Sequence, residues 1–303
     1  MSQRRTLVVR AALVAACATL NACPQLRDED FRTLPGDMLS RPDAGGGAGG
    51  NEAGAGGERE PPLKHDAGVM PPGPPGPEER IAALRAALAH RYAFDGTGTI
   101  AVDSIAGSNA TLVGATLDGS GGVVLDGDGP YVDLPNGVLS SVDEQTIEAW
   151  LIWNGGRAWQ RIFDFGSSDG GEGERGNGRT YLFLTPRTPG DVMLLAYSAS
   201  GYAGETRLNA DVAFPVGILA QVTVVIDSPH DALSLYLDGR WLATQTLEQR
   251  LSALDDVNCW IGMAQYQSDP SLSATLTDFR LYHRALTREE IELSHMRGPD
   301  ATF

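Results

Sequence analysis

Residues able to do acid–base work crowd near the end of this 303-residue chain. The stretch TDFRLYHRALTREEIELSH, residues 277–295, gathers Asp278, Arg280, Tyr282, His283, Arg284, Glu289 and Glu290. Carboxylates and imidazoles pass protons when they stand within hydrogen-bond reach of a reacting group. A second acidic group, Asp143, Glu144 and Glu148, lies in VDEQTIEAW. Glycosidic hydrolysis needs two carboxylates facing one cleft, and here Asp143 and Glu144 precede the expected strand, so only Glu148 falls within it. The five histidines (His65, His90, His230, His283, His295) lie in a linker, a helix, a turn or the tail. No pair has zinc-ligand spacing, and no nucleophile-elbow motif accompanies them. The spacings argue against catalysis.

A third set of residues suits binding instead. Trp159 and Arg161 follow the loop WNGGRAW, Tyr202 lies in SASGYAGE and Tyr266 in MAQYQSD. Exposed rings beside hydrogen-bonding groups can stack on a sugar, and the competing account is that they pack at sheet edges. The turn LDGDGPYVD offers Asp126 and Asp128 but lacks the length of an EF-hand loop, so it reads as a hairpin turn. The polar window 277–295 divides in two. TLTDFRLYH reads as a strand with Phe279 and Leu281 inward, Thr277 on their face, and Asp278, Arg280 and Tyr282 on the other. Thr287 and Glu290 then form a capping box for a helix that Ile291 and Met296 would dock.

Those side chains need a scaffold. From Tyr92 onward, short apolar or alternating runs are punctuated by Gly, Asp and Asn, the texture of β-strands. Asp238-Gly239 in YLDGRW is a hairpin signal between two such runs. Roughly a dozen strands without interleaved helices imply a sandwich or barrel, not a parallel α/β sheet. PEERIAALRAALAH, residues 77–90, reads as a helix opened by Pro77 and two glutamates. Residues 24–77 are rich in Gly, Ala and Pro and read as a disordered tether. The insertion SDGGEGERGNGR, residues 168–179, reads as a mobile, solvated loop. Net charge is −16, which argues against a nucleic-acid partner. Cys259, in the apolar segment VNCWIGM, reads as a small buried hydrophobe.

Two resemblances add to this. MSQRRTLVVRAALVAACATLNAC has a basic head and a short apolar run, and its LNAC ending resembles a bacterial lipoprotein lipobox. It implies export, cleavage before Cys23, lipidation of Cys23 and anchoring at the cell envelope. The pieces YAFDGTG, VVLDGDGPYVDLP, TIEAWLIWNGG, WQRIFDFGSS, LSLYLDGRWLAT and CWIGMAQYQSDPSLSATLTDFRLYHRALTREEI, in that order, resemble laminin-G-like, concanavalin A-like jelly-roll domains. The expected organisation is a signal peptide over 1–23, a tether over 24–77 and an all-β jelly-roll domain over 78–303. The resemblance implies two antiparallel sheets and one structural calcium held by Asp95, Asp103 and Asp278, although Thr277 replaces the more inward acid of the closing pair. It also implies a non-catalytic module for a glycan or protein ligand, with Trp159, Arg161, Tyr202 and Tyr266 as contact residues. The alternatives are a glycosidase on the same sandwich or a purely structural envelope protein.

Overall fold

The computed structural model describes residues 75–303, so Cys23 and nearly all of the 24–77 tether lie outside the described residues. A helix α1 (Pro77–Ala87) leads into seventeen strands. In chain order they are β1 (Leu88–Tyr92), β2 (Thr97–Gly98), β3 (Ile100–Ala101), β4 (Ala110–Val113), β5 (Leu117–Asp118) and β6 (Val123–Asp126). Then come β7 (Tyr131–Leu134), β8 (Glu144–Trp153), β9 (Phe163–Ser168), β10 (Gly178–Thr185), β11 (Leu194–Ser198) and β12 (Thr206–Asn209). The last are β13 (Leu219–Asp227), β14 (Ala232–Leu237), β15 (Arg240–Thr246), β16 (Asn258–Ile261) and β17 (Ser273–Tyr282), followed by helix α2 (Arg288–Arg297).

The strands form two large antiparallel sheets. The seven-stranded sheet runs β1-β17-β8-β13-β14-β15, with β6 also on β17, and the eight-stranded sheet runs β12-β11-β10-β9-β16-β7-β4-β3. Strand alternation decides which side chains meet between them. Leu182 and Leu184 of β10, Phe163 and Phe165 of β9, and Leu195 and Tyr197 of β11 face inward. They meet Ile147, Ala149 and Leu151 of β8, Val222 and Val224 of β13, and Phe279 and Leu281 of β17 in one continuous core. Cys259 belongs to that core, and burial pushes its thiol well above its usual range. The result is the all-β jelly-roll sandwich that the sequence resembles.

The outer faces differ. On the seven-stranded sheet, Val225, Tyr236 and Tyr282 point outward and pack with Leu84 and Ala87 of α1 and Ile291 of α2. Beneath α2, the Glu148 carboxylate accepts from the Tyr282 and Ser294 hydroxyls and lies 3.7 Å from Arg280. The Thr287–Glu290 capping box forms as expected. Among the described residues, both α1 and α2 pack on the seven-stranded sheet and neither covers the eight-stranded one.

Several expectations change. The first helix stops at Ala87, because Leu88 onward pairs with β17 as a strand. The Asp126–Tyr131 turn crosses between sheets, since β6 pairs with β17 whereas β7 pairs with β4 and β16. A bulge between Leu276 and Asp278 resets the alternation of β17, so Leu276 faces the core and Thr277 does not. Met296 is exposed, and α2 docks through Ile291 with Leu293 beside it.

Candidate functional site

At the β10–β12 end of the eight-stranded sheet, the outward side chains are aromatic rather than polar. Tyr181 and Phe183 alternate with the inward leucines of β10 and lie beside Leu194 and Ala196 of β11. The connections at this end fold toward that apolar floor. The β8–β9 connection brings Trp159 and Arg161, the β11–β12 connection brings Tyr202 and Glu205, and the β16–β17 connection brings Tyr266 and Asp269. With Phe183 and Arg207 of β12 they line an open cleft of about 350 Å³. Trp159, Arg161, Tyr202 and Tyr266, scattered over more than a hundred positions of sequence, thus stand around one cleft. A more polar hollow continues past Tyr266, bounded by Arg175, Asn177 and Gln267.

Arg161 ties the walls together. Its Nη2 donates to Asp269 Oδ2 at 2.6 Å, its Nη1 donates to the Trp159 carbonyl at 2.8 Å, and its guanidinium lies 3.9 Å from the centre of the Phe183 ring. A planar guanidinium suits this, because it can stack on a ring while its edges donate in fixed directions. Arg207 repeats the pattern at the rim, lying 5.0 Å over the Tyr202 ring and paired through Nε with Glu205. Glu205 also accepts from the Tyr181 hydroxyl. Burial, and the Glu205 carboxylate after it, raise the Tyr181 phenol far above its ordinary range, so it stays a donor.

Behind the cleft lies a carboxylate without solvent contact. Asp164 projects from β9, fully buried, and its Oδ2 accepts from the Gln265 backbone N–H at 2.9 Å. Arg161 Nε stands 3.5 Å from the same oxygen, an ion pair without hydrogen-bond geometry, and Asp164 Oδ1 has no partner. Burial pushes this carboxyl up to about 7 against the pull of Arg161 and the Gln265 amide. Asp269 is raised for the same reason, burial outweighing Arg161 and Arg175.

Residues 168–179 form the expected solvated hairpin loop between β9 and β10, but side chains tie it to the neighbouring connection. Arg175 reaches across the sheet and donates to the Ala264 and Tyr266 carbonyls, and Gly173 N–H donates to Asn258. That clamp sets the height of Tyr266 over the sheet. Gly178 leaves room for it, since a Cβ there would lie 2.8 Å from the Tyr266 ring.

Of the three acids assigned to calcium, two are held by other partners and the third is exposed. Asp278 is buried and paired with Arg91 Nη2 at 2.7 Å and Arg280 Nε at 2.8 Å. Asp103 accepts from the backbone N–H groups of Arg91, Ile105, Ala106 and Ser108, with the His90 ring 2.9 Å away. Burial works against its ionised form, but those hydrogen bonds win and lower its pKa. Asp95 is exposed and lines a shallow hollow with Asp278 and Asp300. Among the described residues, no group of three His, Cys, Asp or Glu side chains is placed to share a metal ion. The residues do not fit the calcium: two guanidinium groups stand against Asp278, and Asp103 caps a turn.

Comparison with known families and structures follows the same lines as the fold. A family model described as the concanavalin A-like lectin/glucanases superfamily, of laminin G type, matches residues 126–292. Domain 4 of AbnA, a GH43 extracellular arabinanase from Geobacillus stearothermophilus, solved with arabinotriose, superposes with a TM-score of 0.51 at 18% identity, covering 68% of this chain and 96% of that one. Trypanosoma rangeli sialidase in complex with sialic acid gives a TM-score of 0.55 at 17% identity over 73% of this chain, which spans only 37% of the sialidase. The botulinum neurotoxin serotype D ligand-binding domain, in complex with N-acetylneuraminic acid, gives 0.52 at 13% identity, covering 72% of this chain and 52% of that one. At these identities the likeness is one of fold. A search of curated proteins finds no match.

Proposed function

The chain belongs to the concanavalin A-like lectin/glucanases superfamily, and from that membership and the walls of its cleft we propose that it is a non-catalytic glycan-binding module. The observation that carries this is the ring-lined cleft on the eight-stranded sheet, where Trp159, Tyr202 and Tyr266 surround two arginine–carboxylate pairs. Rings supply apolar faces for the C–H side of a sugar, and fixed charged groups accept and donate to its hydroxyls. Solved relatives of this fold carry arabinotriose or N-acetylneuraminic acid, which supports the reading by analogy.

Hydrolysis asks for a free carboxylate and a protonated one flanking the scissile bond. Here Asp269 and Glu205 are each held by an arginine, and Asp164, the carboxyl raised to about 7, lies beneath the surface. That supports binding over turnover.

The test is a glycan array with the full-length protein, followed by titration of any sugar that binds. Trp159→Ala is expected to weaken that binding by about tenfold or more, the loss typical of a central aromatic contact. Failure of every sugar to bind would sink the glycan reading and leave a protein ligand.

We further propose that the module is held at the cell envelope through a lipid on Cys23. The support is the basic head, the short apolar run and the LNAC ending. Wild-type protein should sediment with membranes and incorporate labelled palmitate, and Cys23→Ala should do neither; equal labelling of both would refute the anchor.

A further inference from the structure

The geometry points to an uncharged oligosaccharide as the ligand of this cleft, an inference that rests on the glycan reading above. Its ground is the pairing of both guanidinium groups in the cleft walls. Arg161 donates to Asp269 and Arg207 is paired with Glu205; Arg175 lies in the adjoining hollow with Asp169 and donates to backbone carbonyls. Both stacked arginines also have their faces on rings, Phe183 and Tyr202. Two positive and two negative side chains therefore face the ligand, each matched to the other.

An acidic sugar would meet these pairs badly. Its carboxylate would approach Glu205 and Asp269, and could reach Arg161 only by displacing Asp269 from a half-buried pair. Removing one partner of such a pair leaves the other uncompensated. Long-range forces act the same way, because the chain carries a net charge of −16 and repels anions before contact.

A neutral sugar asks for nothing to be broken. A hydroxyl donates and accepts at once, so it can donate a hydrogen bond to an arginine-bound carboxylate while accepting elsewhere. Only Nε of Arg207 is engaged, by Glu205, so its terminal N–H groups can donate to hydroxyl oxygens, whereas a ligand carboxylate placed there would stand beside the Glu205 charge. The polar hollow past Tyr266 extends the surface beyond one ring, which favours a short chain of sugars over a single unit.

Full-length protein would be titrated by calorimetry at low salt with two neutral sugars, arabinotriose and lactose, and two acidic ones, trigalacturonate and sialyllactose. The expected result is that a neutral sugar binds at least about tenfold more tightly than either acid. Its affinity should be insensitive to added salt and should fall in Trp159→Ala. Tighter binding of an acidic sugar, weakened by salt and lost in Arg207→Gln, would overturn the inference and leave the cleft as a glycan site. Neutral binding that Trp159→Ala does not change would place the sugar elsewhere and overturn it too. No binding by any of the four would overturn the inference, and only a blank glycan array as well would remove the reading beneath it.

Discussion

Trp159 holds its backbone at φ 71°, the left-handed region that a bulky side chain rarely occupies. The conformation is kept by its N–H donating to the Arg187 carbonyl at 3.0 Å and by its own carbonyl accepting from Arg161. Strain of this kind persists where surrounding bonds over-determine the backbone, commonly at binding sites. An unusual order of stabilities is therefore expected: Trp159→Gly should be more stable than Trp159→Ala, by about 1 kcal/mol, because only glycine adopts this backbone without cost. Both variants should lose ligand equally. Urea melts of the pair would check this, and an alanine variant at least as stable as the glycine one would contradict it. Trp159, Arg161, Tyr202 and Tyr266 were legible in the sequence because rings and an arginine beside glycine-rich turns are unusual there. Phe183, Glu205, Arg207 and Asp269 were not, because their direction depends on the strand register and on where loops land. The one available hint was TYLFLT, whose alternation leaves two aromatic rings on whichever face the leucines do not take.

At the level of elements, local chemistry could be read and pairing partners could not. The Thr287–Glu290 box closes within four residues, so its residues alone specify it. Asp238 and Gly239 both take positive φ, 49° and 73°, in the turn between β14 and β15, as an Asp-Gly pair is suited to do. By contrast, the turn after β6 looks like a hairpin locally, but its two strands belong to different sheets. The bulge near Thr277 likewise depends on β8, across which β17 slips by one residue. A strict alternation rule therefore put Thr277 inside and missed Leu276. The 168–179 segment was read as a mobile, solvated hairpin loop because its composition is polar and glycine-rich, and it is a largely exposed hairpin. What pins it is Arg175 finding carbonyls nearly ninety positions away, which no local pattern announces.

Across the whole molecule, buried acids make stability depend on pH in an unfamiliar direction. Asp164 is raised to about 7 by burial, whereas in the unfolded chain it would titrate near about 4. Between those values the folded state keeps a proton that the unfolded state has released. Its contribution therefore falls as pH rises through that window and levels off above about 7. Glu148 and Asp278 are also raised by burial, so the site is best isolated by difference. Wild-type protein should lose more unfolding free energy between mildly acidic and mildly basic buffer than Asp164→Asn does. Identical slopes for the two proteins would refute it. The all-β class, the jelly-roll order and the closing helix were legible in the sequence. The asymmetry of the two outer faces was not, because it follows from α1 and α2 sharing one apolar patch from opposite ends of the fold.

That patch also gathers α1 and the C-terminal tail on one side of the sandwich. Helix α1 packs beside α2, and the tail past it returns to the same sheet, where Arg280 reaches the Pro299 carbonyl and lies 5.2 Å from the Phe303 ring. Both ends of residues 75–303 therefore emerge on the helix-covered side, and the ring-lined cleft belongs to the opposite sheet. An attachment made through the helix-covered face of residues 75–303 would leave the ring-lined cleft open to the passing solution.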